Sequence, residues 1–167
     1  MRAFLTAIAS TIVFAGCAAA ANAAAMCSMT LPATVNVGNY NPTILNTSTI
    51  VTFGLSYTCD TGASATNLTI TAGIGANPSG ATFDKRNMKA GGSDSLNYWF
   101  YPPGYTVTPH SSANVWGDGS GTSRVWGPFA PVNSTVYNGT ASLQVDGNQD
   151  VAGGSYSDSV VFTMTFV

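Results

Sequence analysis

Apolar and polar residues alternate with a period of two in several short segments, and groups of turn-forming residues separate these segments. Such alternation is typical of half-buried β-strands. Beyond residue 25, helix-favouring residues are sparse, whereas Thr, Val, Tyr, Gly and Asn are abundant. We therefore predict an all-β domain. Its predicted strands are residues 29–37, 49–59, 67–72, 96–101, 124–129, 134–145 and 156–167.

The first two strands differ in how clearly they alternate. Pro32 lies inside the first, and because proline has no N–H to donate, this strand is predicted to lie at an edge or to be interrupted. In the second, Val51 and Tyr57 share one face with Cys59. Residues 73–92 are interpreted as a long polar connection, and residues 104–121 as a loop with a short extended piece at 105–108.

The last strand is the most informative segment. Val160, Phe162, Met164 and Phe166 alternate with mostly polar residues up to the end of the sequence. A strongly apolar terminal strand has either a neighbour from earlier in the chain or an open edge. Seven short strands in one domain favour a two-sheet sandwich.

The first 25 residues have the character of a secretory signal peptide. Arg2 is followed by an uncharged apolar run and then by small residues up to Ala25, which predicts cleavage just before Met26 and a domain of residues 26–167. A membrane anchor is the alternative, but the run is shorter than the roughly 20 residues that span a bilayer. Lipidation at Cys17 stays open, although Phe14 stands where lipoprotein signals have an aliphatic residue.

The charge and the cysteine content further restrict which class of protein this can be. The sequence has seven aspartates, no glutamate and five basic residues, so it lacks the basic face that a nucleic-acid partner requires. Two cysteines, Cys27 and Cys59, remain after the predicted cleavage. In an oxidising compartment they are expected to form a disulfide. A metal or redox pair is disfavoured because the chain has one histidine and no Cys-x-x-Cys motif.

Residues that suggest catalysis have simpler explanations. Asp118 and Asp146 each precede glycine, and Asp-Gly is a common turn pair. His110 follows a proline in a predicted loop, and no Gly-x-Ser-x-Gly motif accompanies it. The spacing around Asp118 matches no calcium loop. We predict no enzyme activity, no catalytic residue, no metal and no cofactor.

Aromatic residues are concentrated between residues 98 and 126. Most of them are expected to pack in the core of the sandwich. Tyr105 and Trp116 lie in Gly- and Pro-rich loops and are predicted to be exposed. An exposed aromatic loop is a candidate contact for sugars or abiotic surfaces.

A series of short motifs runs through the whole predicted mature chain. In order they are Cys27 with Pro32, VGNYNP at 37–42, YTC at 57–59, RNM at 86–88 before LNY at 96–98, WGDG at 116–119 and GSYSDSV at 154–160. In this order and spacing they resemble the spore coat protein U domain family, which includes subunits of archaic chaperone–usher pili and related secreted coats.

The resemblance implies an incomplete immunoglobulin-like sandwich of about six to seven antiparallel strands, completed by a donor strand from a partner. Expected partners are a periplasmic chaperone, an outer-membrane usher and other pilus or coat subunits. The attachment is β-augmentation, in which backbone hydrogen bonds bind the donor and its alternate side chains fill a groove. The implied groove lies between the first and last strands. Its residues are Val160, Phe162, Met164 and Phe166 on one rim and Leu31, Val35 and Val37 on the other.

One departure from the family affects the expected role. Fibre-forming subunits of this kind carry a donor extension of roughly ten or more residues ahead of the first cysteine, whereas Cys27 is only one or two residues past the predicted cleavage site. The chain is thus expected to accept a strand without giving one. This predicts a terminal or tip subunit with an adhesion or biofilm role, or a coat component, exported through the periplasm to the cell surface. The alternative is a free-standing secreted carbohydrate-binding module with a complete sandwich, which would be stable alone.

Overall fold

A computed structural model of the chain describes the backbone of residues 11–15 together with residues 27–38, 40, 49–60, 67–77, 82–84, 86–105, 107, 112–130, 134–152 and 154–166. In these ranges the regular structure is ten β-strands and one short 3-10 turn at Ser112–Asn114. The strands are β1 Thr11–Ala15, β2 Cys27–Thr30, β3 Thr34–Asn36, β4 Thr49–Cys59, β5 Leu68–Ala72, β6 Arg86–Lys89, β7 Ser95–Tyr101, β8 Trp126–Phe129, β9 Tyr137–Val145 and β10 Ser157–Phe166. None of the described segments is a helix long and apolar enough to cross a membrane.

The strands form two layers of an all-β, immunoglobulin-like sandwich. In one layer the order is β2-β4-β9-β7-β6, with every pair antiparallel. In the other, β8 pairs β5, β5 pairs β10, and β10 is followed by β1 and β3. A single pair, Ser157 with Lys89, joins β10 to β6 and links the layers. The last strand therefore lies inside the second layer, with strands on both sides.

The core lies between the layers and is rich in aromatic rings. Tyr57 of β4 stacks on Phe129 of β8, with ring centroids 5.5 Å apart. Phe100 of β7 meets Phe162 of β10 edge-on, with centroids 5.9 Å apart. The alternation predicted for β4 is confirmed, because the side chains at every second position from Phe53 to Cys59 are buried. The alternation of apolar and polar residues thus determines which face of β4 points into the core.

The interruption predicted at Pro32 is confirmed. β2 ends at Thr30 and pairs with β4 in one layer, whereas β3 begins at Thr34 and pairs with β1 in the other. Residues 31–33 carry the chain between the layers. Since proline cannot continue a hydrogen-bonded ladder, this is where a change of sheet costs least.

The prediction that residues 73–92 are a polar connection is wrong in part. This segment contains β6, whose residues Arg86, Asn87 and Met88 are buried. Two of the three are polar, so the strand has no apolar alternation that would reveal it. It is held by its ladder to β7, from Arg86 opposite Tyr98 to Lys89 opposite Ser95.

The predicted disulfide is present. Cys27 and Cys59 lie directly opposite each other in the β2–β4 ladder, and their sulfur atoms are 2.06 Å apart. The bond ties the first strand after the N-terminal segment to the end of the longest strand of the sheet.

Replacing both cysteines with serine is expected to lower the free energy of unfolding by about 3 kcal/mol, because the bond closes a loop with a sequence separation of 32 residues. Urea denaturation of the oxidised full chain and of the double variant measures this difference. The reduced wild-type chain is the matched control and should unfold at the same urea concentration as the double variant. A midpoint unchanged by either treatment would contradict the prediction.

Candidate functional site: the edge of the last strand

The side chains of β10 separate into two faces. Val160 and Phe162 are fully buried, and Met164 and Phe166 are partly buried against the same core. Val161 between them is 43% exposed. The structure thus places the four apolar residues singled out from the sequence on the inward face of the strand.

One edge of β10 is bonded by β5 and by the segment that follows β5. Its second half forms a ladder with β5, from Phe162 opposite Ala72 to Phe166 opposite Leu68. Its first half is bonded by the segment after β5, because Gly73 N–H donates to the Val161 carbonyl over 2.8 Å and Ala76 N–H donates to the Ser159 carbonyl over 3.0 Å. Successive carbonyls of a strand point to opposite edges. The carbonyls of the even-numbered residues of β10 therefore point to the other edge.

On that other edge lies β1. It runs parallel to β10, from Thr11 opposite Ser157 to Ala15 opposite Val161, and antiparallel to β3 on its far side. A strand of five residues thus fits between β3 and β10. Within the described ranges, β1 covers this edge only as far as Val161, and no named strand continues along residues 162–166.

The inward side chains along this gap are apolar except for Asp158 of β10. We call the gap between β3 and β10, with its extension along residues 162–166, the acceptor groove. Val35 and Val37 on one rim and Val160 on the other are buried. Next to the extension, the side chains are only partly buried although they pack against the core. These residues are Met164 and Phe166. Of the seven groove residues named from the sequence, Val160, Phe162, Met164 and Phe166 lie on β10, Val35 lies on β3 and Val37 just follows it, whereas Leu31 lies in the segment between β2 and β3. All seven belong to the core or pack against it.

A buried arginine binds the segment that forms hydrogen bonds with β10. The Arg86 side chain is fully buried and its guanidinium donates to backbone carbonyls of three segments. Nη2 reaches the Gly73 carbonyl at 2.7 Å and the Trp116 carbonyl at 2.6 Å, and Nη1 reaches the Phe83 carbonyl at 3.0 Å. Burial lowers the pKa of Arg86 to about 10, against the opposing effect of Tyr98 and Asp158 nearby. The group stays charged at neutral pH, and it fixes the segment that bonds β10.

Asp158 of β10 completes this support. Its Oδ1 accepts from the Ala76 N–H over 2.9 Å, and its Oδ2 accepts from the Tyr98 hydroxyl over 2.5 Å. Burial, followed by the Asp158 carboxylate, raises the pKa of Tyr98 well above its ordinary value. Gly75 has a φ of 90°, and a Cβ there would overlap the Asp158 carboxylate. The chain therefore needs glycine where it passes this carboxylate.

The prediction that Trp116 is exposed is wrong. Its side chain is fully buried, its Nε1–H donates to the Ile70 carbonyl over 2.9 Å, and its ring meets Phe162 with centroids 4.9 Å apart. Its own backbone N–H donates to the Phe100 carbonyl, so this part of the loop is drawn into the sandwich. Tyr105 is 38% exposed. His110 lies outside the described residues.

Asp118 has a structural role in its loop. Its Oδ1 accepts the Ser120 N–H over 2.8 Å, and hydrogen bonds from Ser120 lower its pKa. Asp146 is in the segment that follows β9. Among the residues described, no group of three His, Cys, Asp or Glu side chains could hold a metal ion. The sequence did not assign a role to Arg86, Tyr98 or Asp158, although all three lie in the motifs at 86–88, 96–98 and 154–160.

Comparison with known proteins identifies the family. The model of the Spore Coat Protein U domain matches residues 13–163. The chain belongs to the Spore Coat Protein U domain family. A relative, Protein U of Myxococcus xanthus, is 34% identical to this family member over 183 aligned positions, which cover 97% of the present chain and 94% of the relative.

The fold of this Spore Coat Protein U domain also resembles a solved structure. A chain in the crystal structure of the CsuC–CsuE chaperone–tip adhesion subunit pre-assembly complex, from archaic chaperone–usher Csu pili of Acinetobacter baumannii, superimposes with a TM-score of 0.51 and 16% identity. The match covers 85% of the present domain and 40% of that chain, so the domain spans less than half of its length. At this identity the similarity concerns the fold.

Proposed function

We propose that this Spore Coat Protein U domain is a structural subunit of a bacterial surface fibre or secreted coat, and that it assembles by accepting a strand from a partner in the acceptor groove. The observation that carries the proposal is the position of β1. It lies between β3 and β10, on a strand edge whose inward side chains are apolar apart from Asp158. If cleavage before Met26 removes β1, that edge is left with unpaired backbone groups and needs another strand.

The chemistry of the groove specifies the partner's segment. Backbone N–H and C=O groups of β10 require an extended segment that forms a ladder with them. The inward residues Val160, Phe162, Met164 and Phe166 lie at every second position, so the donor needs apolar side chains with the same period. Since β10 has 10 residues, a donor that covers it is longer than β1, which has 5.

Two comparisons support the choice of partners. The solved complex of similar fold pairs a chaperone with a tip adhesion subunit, and the family is named for a spore coat protein. We propose a periplasmic chaperone as the first donor, followed by another subunit delivered at an outer-membrane usher. The route takes the chain through the periplasm to the cell surface. The proposal assigns no catalytic residue, metal or cofactor.

The position in the assembly follows from the proposed processing. Cleavage before Met26 places Cys27, which is bonded to Cys59, next to the new N-terminus. Such a chain has a groove that accepts a strand but no free extension that donates one. We therefore place it at the tip of a fibre or in a coat, where it contacts surfaces during adhesion or biofilm formation. Tyr105, which is 38% exposed, is the proposed aromatic contact.

The proposal is tested by purifying the chain from the periplasm with a tag inserted in the exposed turn at residues 91–93 and by recording the intact masses. We expect a chaperone-sized partner at about one copy per chain. Met164→Asp is expected to reduce the captured partner at least about tenfold, because it sets an unpaired charge in the groove. Thr165→Asp is the matched control. The Thr165 side chain is next to Met164 in sequence but is exposed on the other face of β10, so capture should be normal.

Two results would contradict the proposal. Normal capture by Met164→Asp would show that the extension of the groove is not where the partner binds. A cleaved chain that purifies as a folded, stable monomer without a partner would instead favour the free-standing carbohydrate-binding module. The same mass spectrum locates the N-terminus and shows whether Cys17 is retained.

A further inference from the structure

A cleft of about 270 Å³ lies between two loops, and its described lining residues are separate from those of the acceptor groove. Residues 82–84, which come before β6, line it together with Val115 and the turn at residues 120–123. Phe83 and Val115 also belong to a second hydrophobic cluster, which is built on side chains of β7. The cleft therefore rests on packed side chains and not on a loop alone.

Hydrogen bonds fix the shape of the turn at residues 120–123. The backbone N–H and the hydroxyl of Ser123 both donate to the Ser120 carbonyl, over 3.0 Å and 2.8 Å. The Gly119 N–H donates to the Ser123 hydroxyl oxygen over 3.1 Å, and next to the turn the Arg124 N–H donates to the Val115 carbonyl over 2.8 Å. A preformed turn loses little conformational freedom when it binds a ligand.

Asp84 contributes a carboxylate to the cleft. Its side chain is half-buried, and its backbone carbonyl accepts the Trp99 Nε1–H over 3.1 Å, which fixes its position. Within the described part of the chain, no hydrogen bond to its carboxylate is found. A Cβ at Gly117 would lie 2.6 Å from Cγ of Phe83 and 2.5 Å from Cβ of Ser123. The glycine thus lets the loop with Asp84 and the turn approach each other.

The chemistry of the cleft matches a neutral sugar. Its described lining residues carry hydroxyls, one aromatic ring and one carboxylate, and none of them is basic, which disfavours an anion. A carboxylate accepts strong hydrogen bonds from hydroxyls, and Ser and Thr hydroxyls both donate and accept. The negative face of an aromatic ring attracts C–H groups of a sugar. The volume lies just below the roughly 300–1,000 Å³ of sites for drug-sized ligands, which suits a single sugar unit.

We propose that the cleft between Asp84 and the turn at residues 120–123 binds one unit of a neutral glycan. This function goes beyond strand acceptance and gives the proposed contact with surfaces a class of ligand. The affinity for one unit is expected to be weak, with a dissociation constant of about 1 mM, because so small a ligand gains little free energy. Many copies in a fibre or coat would bind a polysaccharide more tightly through avidity.

The test uses the ¹⁵N-labelled chain as it purifies from the periplasm, with any partner that it captures. The probes are the methyl glycosides of glucose, mannose and galactose, and the readout is the NMR shift of the Gly119 and Gly121 amides. We expect at least one glycoside to shift both amides. Asp84→Asn should weaken this binding at least about tenfold, the effect of losing a charge-assisted hydrogen bond. Asp150→Asn removes the same charge at an exposed position outside the cleft and is the matched control, which should bind normally.

A second variant blocks the cleft by volume. Thr82 lines the cleft and is exposed, so a larger side chain there does not disturb the core. Thr82→Trp is expected to abolish the shifts of both amides.

The outcomes separate this inference from the proposed function. If no glycoside shifts the amides up to about 100 mM, far above the expected range, the sugar site is overturned, while capture of a partner strand still supports the groove. Shifts that persist in both Asp84→Asn and Thr82→Trp would place the sugar elsewhere and also overturn it. Methylammonium is titrated as well, and if it shifts the amides while the glycosides do not, the cleft binds cations and the class of ligand is wrong. Glycoside binding by a chain that captures no partner would support the sugar site and contradict the proposed assembly.

Discussion

Replacing Arg86 with methionine is expected to lower the free energy of unfolding by about 3–5 kcal/mol, the scale of removing one partner from a buried charged network. Arg86 is fully buried and makes charge-assisted bonds to carbonyls that have no access to water, such as those of Ala72 and Trp116. Methionine fills similar space but donates nothing, so these carbonyls lose their partner, at about 1–3 kcal/mol for each group left unsatisfied.

The destabilisation should extend to the edge of β10 that accepts hydrogen bonds from Gly73 and Ala76. Arg86 donates to the Gly73 carbonyl from Nε over 2.9 Å and from Nη2 over 2.7 Å. The N–H of Gly73 in turn donates to the Val161 carbonyl of β10. Without the guanidinium, the amides of Gly73 and Ala76 should exchange faster. Urea denaturation measures the stability, and hydrogen exchange of the two amides measures the local effect.

Two further variants separate charge from geometry. Arg86→Lys keeps the charge but lacks the planar fork of donors, so it is expected to recover only part of the stability. Lys89→Met removes a cation from an exposed position on the same strand and should change stability by less than about 0.5 kcal/mol. A loss below about 1 kcal/mol in Arg86→Met, within the range of one ordinary hydrogen bond, with both amides still protected, would show that the network is not required.

The sequence predicted those strands that have one apolar face. β4 and β10 were located to within a residue or two because burial of one face imposes a period of two on their residues. β6 was missed because its buried members Arg86 and Asn87 are polar. A polar residue is buried when distant backbone groups satisfy it, and such partners are not visible in local periodicity.

Two further features could not be predicted from the sequence: the direction of a large side chain in a loop, and the pairing of distant strands. Trp116 was predicted to be exposed from its glycine-rich surroundings, yet it fills the core against Phe162. Local composition reports the backbone conformation of a loop and not the direction in which a large side chain points. Likewise, the apolar run at residues 3–16 was interpreted as a targeting segment, and nothing in it indicated that Thr11–Ala15 pairs with β10 and β3. Such pairing depends on the rest of the fold.

The acceptor groove thus combines predictable and unpredictable parts. Its apolar rims follow from alternation, because Val35 and Val160 each lie at inward positions of their strands. The position of β10 is supported by hydrogen bonds of the buried polar residues Arg86 and Asp158, which the periodicity of the sequence does not reveal. This division matters for experiments, since a substitution on β10 can act on the groove, on the core or on both.

Replacing Phe162 with alanine is expected to lower the free energy of unfolding by about 3–5 kcal/mol, the usual loss for a large buried aromatic side chain. Only 1% of Phe162 is exposed, and its ring packs edge-on against Phe100 and Trp116, with centroids 5.9 Å and 4.9 Å away. An aspartate at this position would test the core more than the groove, so lost capture in Phe162→Asp would not locate the donor strand. Met164, which is partly exposed, is the better groove probe.

The contrast between two phenylalanines of the same strand checks this interpretation. Phe166 also faces inward but is only partly buried. Phe166→Ala is therefore expected to cost no more than about half as much as Phe162→Ala, because less apolar area returns to water and the cavity is open to solvent. Urea denaturation of the two variants in the full chain measures the difference. Equal losses would mean that Phe166 is as deeply packed as Phe162, and the groove would then end before the C-terminal part of β10. A larger loss for Phe162 would agree with the proposal that the partner binds beside residues 164–166.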